Sequence, residues 1–471
     1  MTGTKTMLTK SIALAVGLIC AASFAQAADA PFAKQEAVAS QLRDKALKGS
    51  IAYDILESLT TEIGARPAGS PALLRAADWG VARMKALGYD KVTVESFKVP
   101  GWKRGAETAE VTAPYPQKLV ITALGGSVAT PAAGLSAPIA LFKRYDDLLA
   151  QAPGSLTGKI AVVTEPIVRA QDGAGYGAGY RIRGTGASEA AKRGAVGYML
   201  RSLGTDNHRV PHTGTMTYDP AVAKIPAAAL SNPDADLLER MAVRGVPVTV
   251  KMVVTPTFGP DLEARTVVGE ITGREAPQEV IVIGGHLDSW DLGTGAVDDG
   301  AGVAITMAAG KLILDQPVRP RRTVRVVLWG AEEIGKAGEA FAKVHGAEVA
   351  NHVIGSESDF GAGPVLKISL PKVKGGDGFV EALMRALGPA GVIYDRQDAV
   401  NGGADNEEMA ALGMPVASLR QNGLDYFDWH HTADDSLDKV KASELDQNVA
   451  VWSAFVWMVA DSAANFRAAA K

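Results

Sequence analysis

Five side chains able to bind a metal ion, His286, Asp298, Glu333, Asp359 and His431, sit in short polar clusters of a 471-residue chain that has only 7 histidines. Two imidazoles and three carboxylates without a thiolate suit borderline or hard divalent ions such as zinc, manganese or cobalt. Five groups are too many for one catalytic zinc, which usually takes three protein ligands and keeps an open position. Two ions sharing one bridging carboxylate fit the count. Glu332 adjoins Glu333 but cannot point the same way, so it is left as a free carboxylate able to take a proton from metal-bound water. Taken singly these residues are ordinary, because adjacent acids such as Asp298-Asp299 also make a solvated helix start that suits the helix dipole. Delivered together into one crevice, they bury charge that needs a metal or a partner.

Strands must do the delivering. Residues 280–285 are apolar or glycine and run into His286-Leu-Asp288, 323–329 run into Gly330-Ala-Glu-Glu333, and 353–358 run into Asp359. In open α/β sheets, ligands bind beyond the carboxyl ends of the strands. Asp298 and Asp299 precede a helix expected over 300–314, and Trp429-His-His-Thr432 lies near the C-terminus. From 260 onward, strands at 279–283, 323–328 and 353–356 alternate with helices at 300–314, 331–345 and 378–387. That order predicts an α/β fold with a mixed, mostly parallel sheet and helices on both faces. Upstream, 51–59 has helical spacing, 71–87 is an alanine-rich helix stopped by Gly88, and 91–99 alternates as a half-buried strand. Between 113 and 258 the character changes to short strands such as 159–164 among Gly- and Pro-rich loops, with a helix at 186–193, which marks a separate, smaller domain.

Residues 1–27 have the order of a secretory signal: Lys5 and Lys10, an apolar run over 12–24, then Ala25-Gln-Ala27. The run is shorter than the roughly 20 apolar residues of a membrane span. The expectation is an exported protein, periplasmic or secreted, with no stable membrane insertion after signal removal. The only cysteine, Cys20, leaves with the signal, which excludes disulfides, thiolate nucleophiles and Cys-rich zinc sites in the mature chain. With 47% hydrophobic and 21% charged residues the composition is that of a folded globular protein. A net charge of -4 without a long basic run argues against a nucleic-acid partner.

Gly285-His-Leu-Asp-Ser-Trp290, Gly295-Ala-Val-Asp-Asp-Gly-Ala-Gly302, Ala331-Glu-Glu-Ile-Gly335, Glu357-Ser-Asp359 and His430-His-Thr-Ala-Asp-Asp-Ser436 together resemble the motifs of the co-catalytic dizinc exopeptidases. That family includes secreted leucyl aminopeptidases and the plasma glutamate carboxypeptidase, or carboxypeptidase Q, branch. Arg66-Pro-Ala-Gly-Ser70, Glu189-Ala-Ala-Lys-Arg-Gly-Ala195, Pro211-His-Thr-Gly214, Gly403-Ala-Asp405 and Gly413-Met-Pro-Val-Ala-Ser418 resemble the latter branch. The resemblance covers nearly all of the mature chain. It implies two Zn2+ per chain, one on His286 and Asp359, the other on Glu333 and His431, with Asp298 bridging. It further implies Glu332 as general base, Asp288 as the carboxylate that fixes the His286 tautomer, and a cis peptide between Asp298 and Asp299. The implied domains are a peptidase domain in two parts, 28–112 and 259–471, interrupted by a protease-associated domain rich in β structure at 113–258.

The substrates implied are short peptides or dipeptides, cut at a terminal bond, and a homodimer is an allowed assembly. Candidate substrate-binding residues are His212 from the insert, Tyr426, His430 and Asp405. His431 directly precedes Thr432 as the family pattern requires of the ligand, so His430 is assigned to the pocket or to structure. His208 and His212 are spaced like a helical metal pair, but Pro211 between them argues against a helix. Three alternatives stand beside the exopeptidase: an aminopeptidase specific for free N-termini, a single-zinc glutaminyl cyclase, and a non-catalytic binding ectodomain. Metal stoichiometry separates the cyclase, and the presence of every ligand type together with Glu332 argues against the ectodomain.

Overall fold

The computed structural model describes residues 31–373, 378–396 and 402–467; the expected signal segment 1–27, with Cys20, lies outside the described residues. The fold is mixed α/β. Its site-bearing sheet contains β1 (Lys91–Lys103), β2 (Thr257–Ile271), β3 (Ala276–His286), β4 (Arg322–Trp329) and β5 (His352–Glu357), in the order β1-β2-β4-β3-β5. β3 pairs parallel with β4 and β5, whereas β2 is antiparallel to both β1 and β4. Four strands therefore run one way and β2 the other. All of β4 and the last seven residues of β3 are buried, the reason these segments read as near-continuous apolar runs, broken inside β4 by Arg325, which pairs with Glu270 at 2.7 Å.

The principal helices are α1 (Ala33–Ala46), α2 (Pro71–Leu87), α3 (Ala301–Leu314), α4 (Ala337–His345) and α5 (Ala442–Asp461). α2 has the expected bounds because local chemistry fixes both ends. Ser70 accepts from the Leu73 amide, Pro71 occupies the first turn, and Gly88 leaves the helix at φ 93. α3 packs on β3, and α5 packs on α1 and α3. From Asn448 to Ala460 every residue of α5 is buried, so it carries no one-sided apolar stripe. The helix expected over 331–345 is instead a tight turn, Glu332–Ile334, followed by α4, because Gly335 adopts φ 66 between them. The helix expected over 51–59 spans Ala52–Ser58 and continues as a wide turn, Leu59–Ile63.

A second, eight-stranded sheet is formed within residues 107–254, in the order Gln117–Leu119, Glu107–Ala113, Thr249–Val254, Leu135–Phe142, Ile160–Val163, Gly197–Arg201, Ala227–Leu230, Ile121–Ala123. It has apolar clusters of its own, one around Val111, Met199 and Met252, another around Tyr145, Tyr198 and Leu200. A small third sheet joins Val365–Ser369, Ile393–Tyr394 and Ser418–Gln421. Among the described residues, no helix is long and apolar enough to cross a membrane.

Candidate metal centre and active site

The polar groups converge at the carboxyl edge of β3, β4 and β5. His286 is the last residue of β3, Glu332 and Glu333 follow β4, and Asp359 follows β5. Two glycines allow the start of α3 to press against this edge. A Cβ on Gly285 would lie 2.4 Å from Asp299 Oδ2, and one on Gly302 would lie 1.8 Å from the Ser358 carbonyl oxygen. Asp299, fully buried, accepts hydrogen bonds from the amides of His286 and Gly302, each at 3.0 Å. The Asp298-Asp299 peptide is cis, and both residues leave the helical conformation.

Asp298 stands between the two imidazoles. Its Oδ1 is 3.0 Å from His286 Nε2, and its Oδ2 is 3.3 Å from His431 Nε2. Asp359 Oδ1 is 3.7 Å from His286 Nε2, Glu333 Oε2 is 3.0 Å from His431 Nε2, and Glu332 Oε2 is 3.9 Å from His286 Nε2. All five candidate ligands and Glu332 thus come together. Glu333 Oε1 and Asp359 Oδ1 are buried without a hydrogen-bond partner, and donor atoms of His286, Asp298 and Glu333 lie within 4.8 Å of one another. A divalent cation fits this set, because it satisfies buried carboxylate oxygens that otherwise carry an uncompensated desolvation cost.

Electrostatics follow from that crowding. Burial pushes the Glu332 carboxyl well above its usual range, more than the nearby His286 imidazole pulls it down. Burial opposes charge on His431, yet Glu333 and Asp298 outweigh it and hold the imidazole at about 9. Asp405, buried beside other acids, is pushed up to about 8.

Each imidazole is oriented through Nδ1. His286 Nδ1 donates to the main-chain oxygen of Asp288 at 3.0 Å, while the Asp288 carboxylate, expected to fix this tautomer, is 3.6 Å away. That carboxylate instead accepts from the amides of Glu332 and Glu333, at 3.0 and 3.3 Å. The turn after β4 offers free amides that a carboxylate satisfies well. His431 Nδ1 donates to the Thr213 carbonyl at 3.2 Å. Both Nε2 atoms are left facing the acids.

The candidate substrate residues are placed differently from one another. His430 stacks on His431 with centroids 3.5 Å apart, among Tyr176, Tyr426 and Phe427, and its Nε2 is 3.6 Å from Asp298 Oδ2. Tyr426 is buried in this aromatic group. Asp405 is buried, its amide donating to Glu357 Oε2 at 2.9 Å. His212 was expected to reach the cleft, but both its ring nitrogens are engaged, Nδ1 with the His430 carbonyl at 2.7 Å and Nε2 with Asp206 at 2.6 Å. It touches the site through the backbone that carries His431. His208 pairs with Asp434 at 3.0 Å.

Several contributors were not read from the sequence. Arg183 donates to the Thr213 carbonyl at 3.3 Å, and Thr215 Oγ1 donates to the Glu333 carbonyl at 2.7 Å. Asp435 accepts from the amides of Val297 and Asp298, which holds the Asp298 turn. Arg66 is fully buried, and its guanidinium donates to the carbonyls of Leu287, Gly64, Thr294 and Gly295. Its place in the Arg66-Pro-Ala-Gly-Ser70 motif was the one available signal.

The family described as Peptidase family M28 matches residues 266–456. Carboxypeptidase Q of Bos taurus is 35% identical over 413 residues, spanning 87% of this chain and 85% of the relative. The chain belongs to peptidase family M28. Carboxypeptidase Q of Homo sapiens is 33% identical over 410 residues, with the same 87% and 85% coverage. Among solved structures, a peptidase M28 precursor from Shewanella amazonensis is 46% identical with a TM-score of 0.91, covering 94% of this chain and 100% of that one. An aminopeptidase from Aneurinibacillus sp. strain AM-1, 21% identical with a TM-score of 0.62 over 89% of this chain and 95% of that one, shares the fold. As an M28 peptidase the chain is a hydrolase and a metallo-exopeptidase, as its motifs led one to expect.

Proposed function

We propose that this M28 peptidase is an exported dizinc exopeptidase that hydrolyses a terminal bond of short peptides or dipeptides. The observation that carries the proposal is the placement of Asp298, one carboxylate whose two oxygens face His286 and His431 separately, at 3.0 and 3.3 Å. His286 and Asp359 would hold one zinc, Glu333 and His431 the other, with Asp298 shared. When bound, such ions polarise the scissile carbonyl and make water a nucleophile at neutral pH. Glu332 takes the proton of the attacking water and returns it to the leaving amine, a task for which a raised carboxyl is suited. The Asp288 and Thr213 carbonyls hold the two imidazoles in the tautomer that frees Nε2. His430, Tyr426 and Asp405 lie around the same centre.

The proposed domains are 28–112 and 259–471 for the peptidase and 113–258 for an inserted protease-associated domain, with 1–27 as export signal. The separate sheet and apolar clusters within 107–254 support an insert. Contacts of Arg183, His212 and Thr213 with the His430–His431 backbone and ring support its leaning on the active site. The curated relatives bear the name carboxypeptidase, which agrees with action at a chain end.

The test combines elemental analysis with assays of free, N-blocked and C-amidated dipeptides, before and after chelation and zinc re-addition. Two zinc per chain and metal-dependent dipeptide turnover are expected. One zinc per chain with cyclisation of N-terminal glutamine overturns the proposal in favour of a cyclase. Efficient internal cleavage of a long peptide blocked at both ends overturns exopeptidase action.

A further inference from the structure

Beside Glu333 lies a cavity of about 690 Å3 that the mechanism does not use. Its size falls within the roughly 300–1,000 Å3 typical of small-ligand sites. Trp102, Trp290, Met216, Leu262, Ile334 and Leu74 supply apolar walls. One wall depends on a close approach, since a Cβ on Gly125 would lie 2.2 Å from the Trp290 ring. The same Trp290 ring is 5.8 Å, centroid to centroid, from the ring of His431. The cavity therefore reaches the candidate metal centre at Glu333, and its Trp290 wall neighbours His431.

Charge on the lining narrows the occupant. Arg104 is held by Asp291 and Glu107, each at 2.8 Å, and stacks near Trp102 and Trp290. Glu263 is held by Arg265 at 2.7 Å. Lys103, by contrast, is exposed and enters no ion pair among the described residues. A charged side chain entering the cavity would meet committed partners and apolar surface, while a carboxylate at its edge would meet a free ammonium.

We infer that the cavity receives the bulky apolar side chain of the substrate's C-terminal residue, with the Lys103 ammonium facing that residue's free carboxylate, an assignment that rests on the exopeptidase reading. It names the substrate class as dipeptides ending in a large apolar residue. The Trp102 and Trp290 indoles offer such a side chain flat apolar contact.

The experiment compares kcat/KM of the zinc-loaded enzyme on Ala-Phe, Ala-Leu, Ala-Gly, Phe-Ala and the amide of Ala-Phe. Ala-Phe should exceed Ala-Gly by roughly 10- to 200-fold, the range that differences in apolar side-chain bulk provide. Leu74→Trp, which adds bulk to the cavity wall, should lower kcat/KM on Ala-Phe far more than on Ala-Gly, with bound zinc retained. Lys103→Met should narrow the preference for free Ala-Phe over its amide. Free L-phenylalanine should compete with Ala-Phe, and glycine should not. Turnover that ignores the C-terminal side chain, or follows the N-terminal one, overturns the pocket assignment while leaving the exopeptidase intact. Absence of metal-dependent turnover on every peptide overturns the exopeptidase reading and the pocket with it.

Discussion

The two imidazoles at the centre of this site are held in opposite ways. His286 closes a strand buried on both sides, and the carbonyl that receives its Nδ1 proton belongs to Asp288, two residues further on. His431 sits at φ 62 in a C-terminal loop, and its partner carbonyl, on Thr213, is 218 residues away. A left-handed conformation in a residue with a side chain costs roughly 1–3 kcal/mol and persists only where the surroundings impose it. Here the surroundings include Thr213, Arg183 and His212, all from 113–258, beside Glu333, Asp298 and the stacked ring of His430. One half of the site is thus a property of the sheet edge, and the other depends on long-range docking.

The largest expected effect lies outside the contrast and calibrates it. Glu332→Gln removes the proposed proton carrier, which would serve both halves, so turnover should fall by roughly 10²- to 10⁴-fold with zinc content unchanged. Wild-type turnover in steady-state assays of this variant would refute the role. Next, His431→Ala should lower bound zinc and activity together, whereas His430→Ala should keep both ions, as elemental analysis of purified variants will show. Loss of metal from His430→Ala alone would mean that the ligand is the other histidine.

A smaller effect tests the docking directly. His212→Ala frees the His430 carbonyl, and loss of such an outer partner typically costs 10- to 100-fold in metal affinity or activity. Competition with a zinc chelator should reveal one weakened site and one unchanged; equal weakening of both would erase the distinction between the halves. The smallest effect is on stability. The carboxyls of Asp405 and Asp435 are pushed up, mainly by burial, to about 8 and about 7. A carboxyl raised in the folded state binds more protons there than in the unfolded chain, so stability is lost as pH rises from the unfolded value toward the folded one. Metal-free protein should show a Tm that falls between pH 5 and 8, a trend that zinc should flatten. A Tm rising across that window would show that these acids are not held neutral.

The same division governs what the sequence discloses. His286, Glu333 and Asp359 are legible because each follows an apolar strand, and Asp298 because it precedes a helix beside them. The cis bond and the choice of His431 came only from resemblance. Thr213 lies in the Pro211-His-Thr-Gly214 motif, but it acts through its carbonyl, an atom every residue has, so its role is not legible there. Arg183 and Tyr176 reach His430 and His431 across roughly 250 residues of chain, beyond any local periodicity. α5 escaped because burial all round removes the amphipathic signal. The break between Glu332–Ile334 and α4 turned on Gly335, a residue that a helical pattern tolerates on paper.

Arg66 shows what kind of change the centre can absorb. Its guanidinium grips the loop that follows β3 entirely through main-chain oxygens, those of Leu287, Thr294 and Gly295, with Gly64 on its own side. The grip reads no side chain of that loop, so a change at Thr294 leaves its acceptor in place, whereas Leu287 is buried in the core and a Cβ on Gly295 would lie 2.8 Å from Arg66 Nη1. At position 66 there is no such latitude. A lysine has one nitrogen where the arginine fork spreads its donors across a plane, and it could reach only part of the set. Tolerance to substitution therefore differs along a single tether, present at Thr294 and closed at the donor.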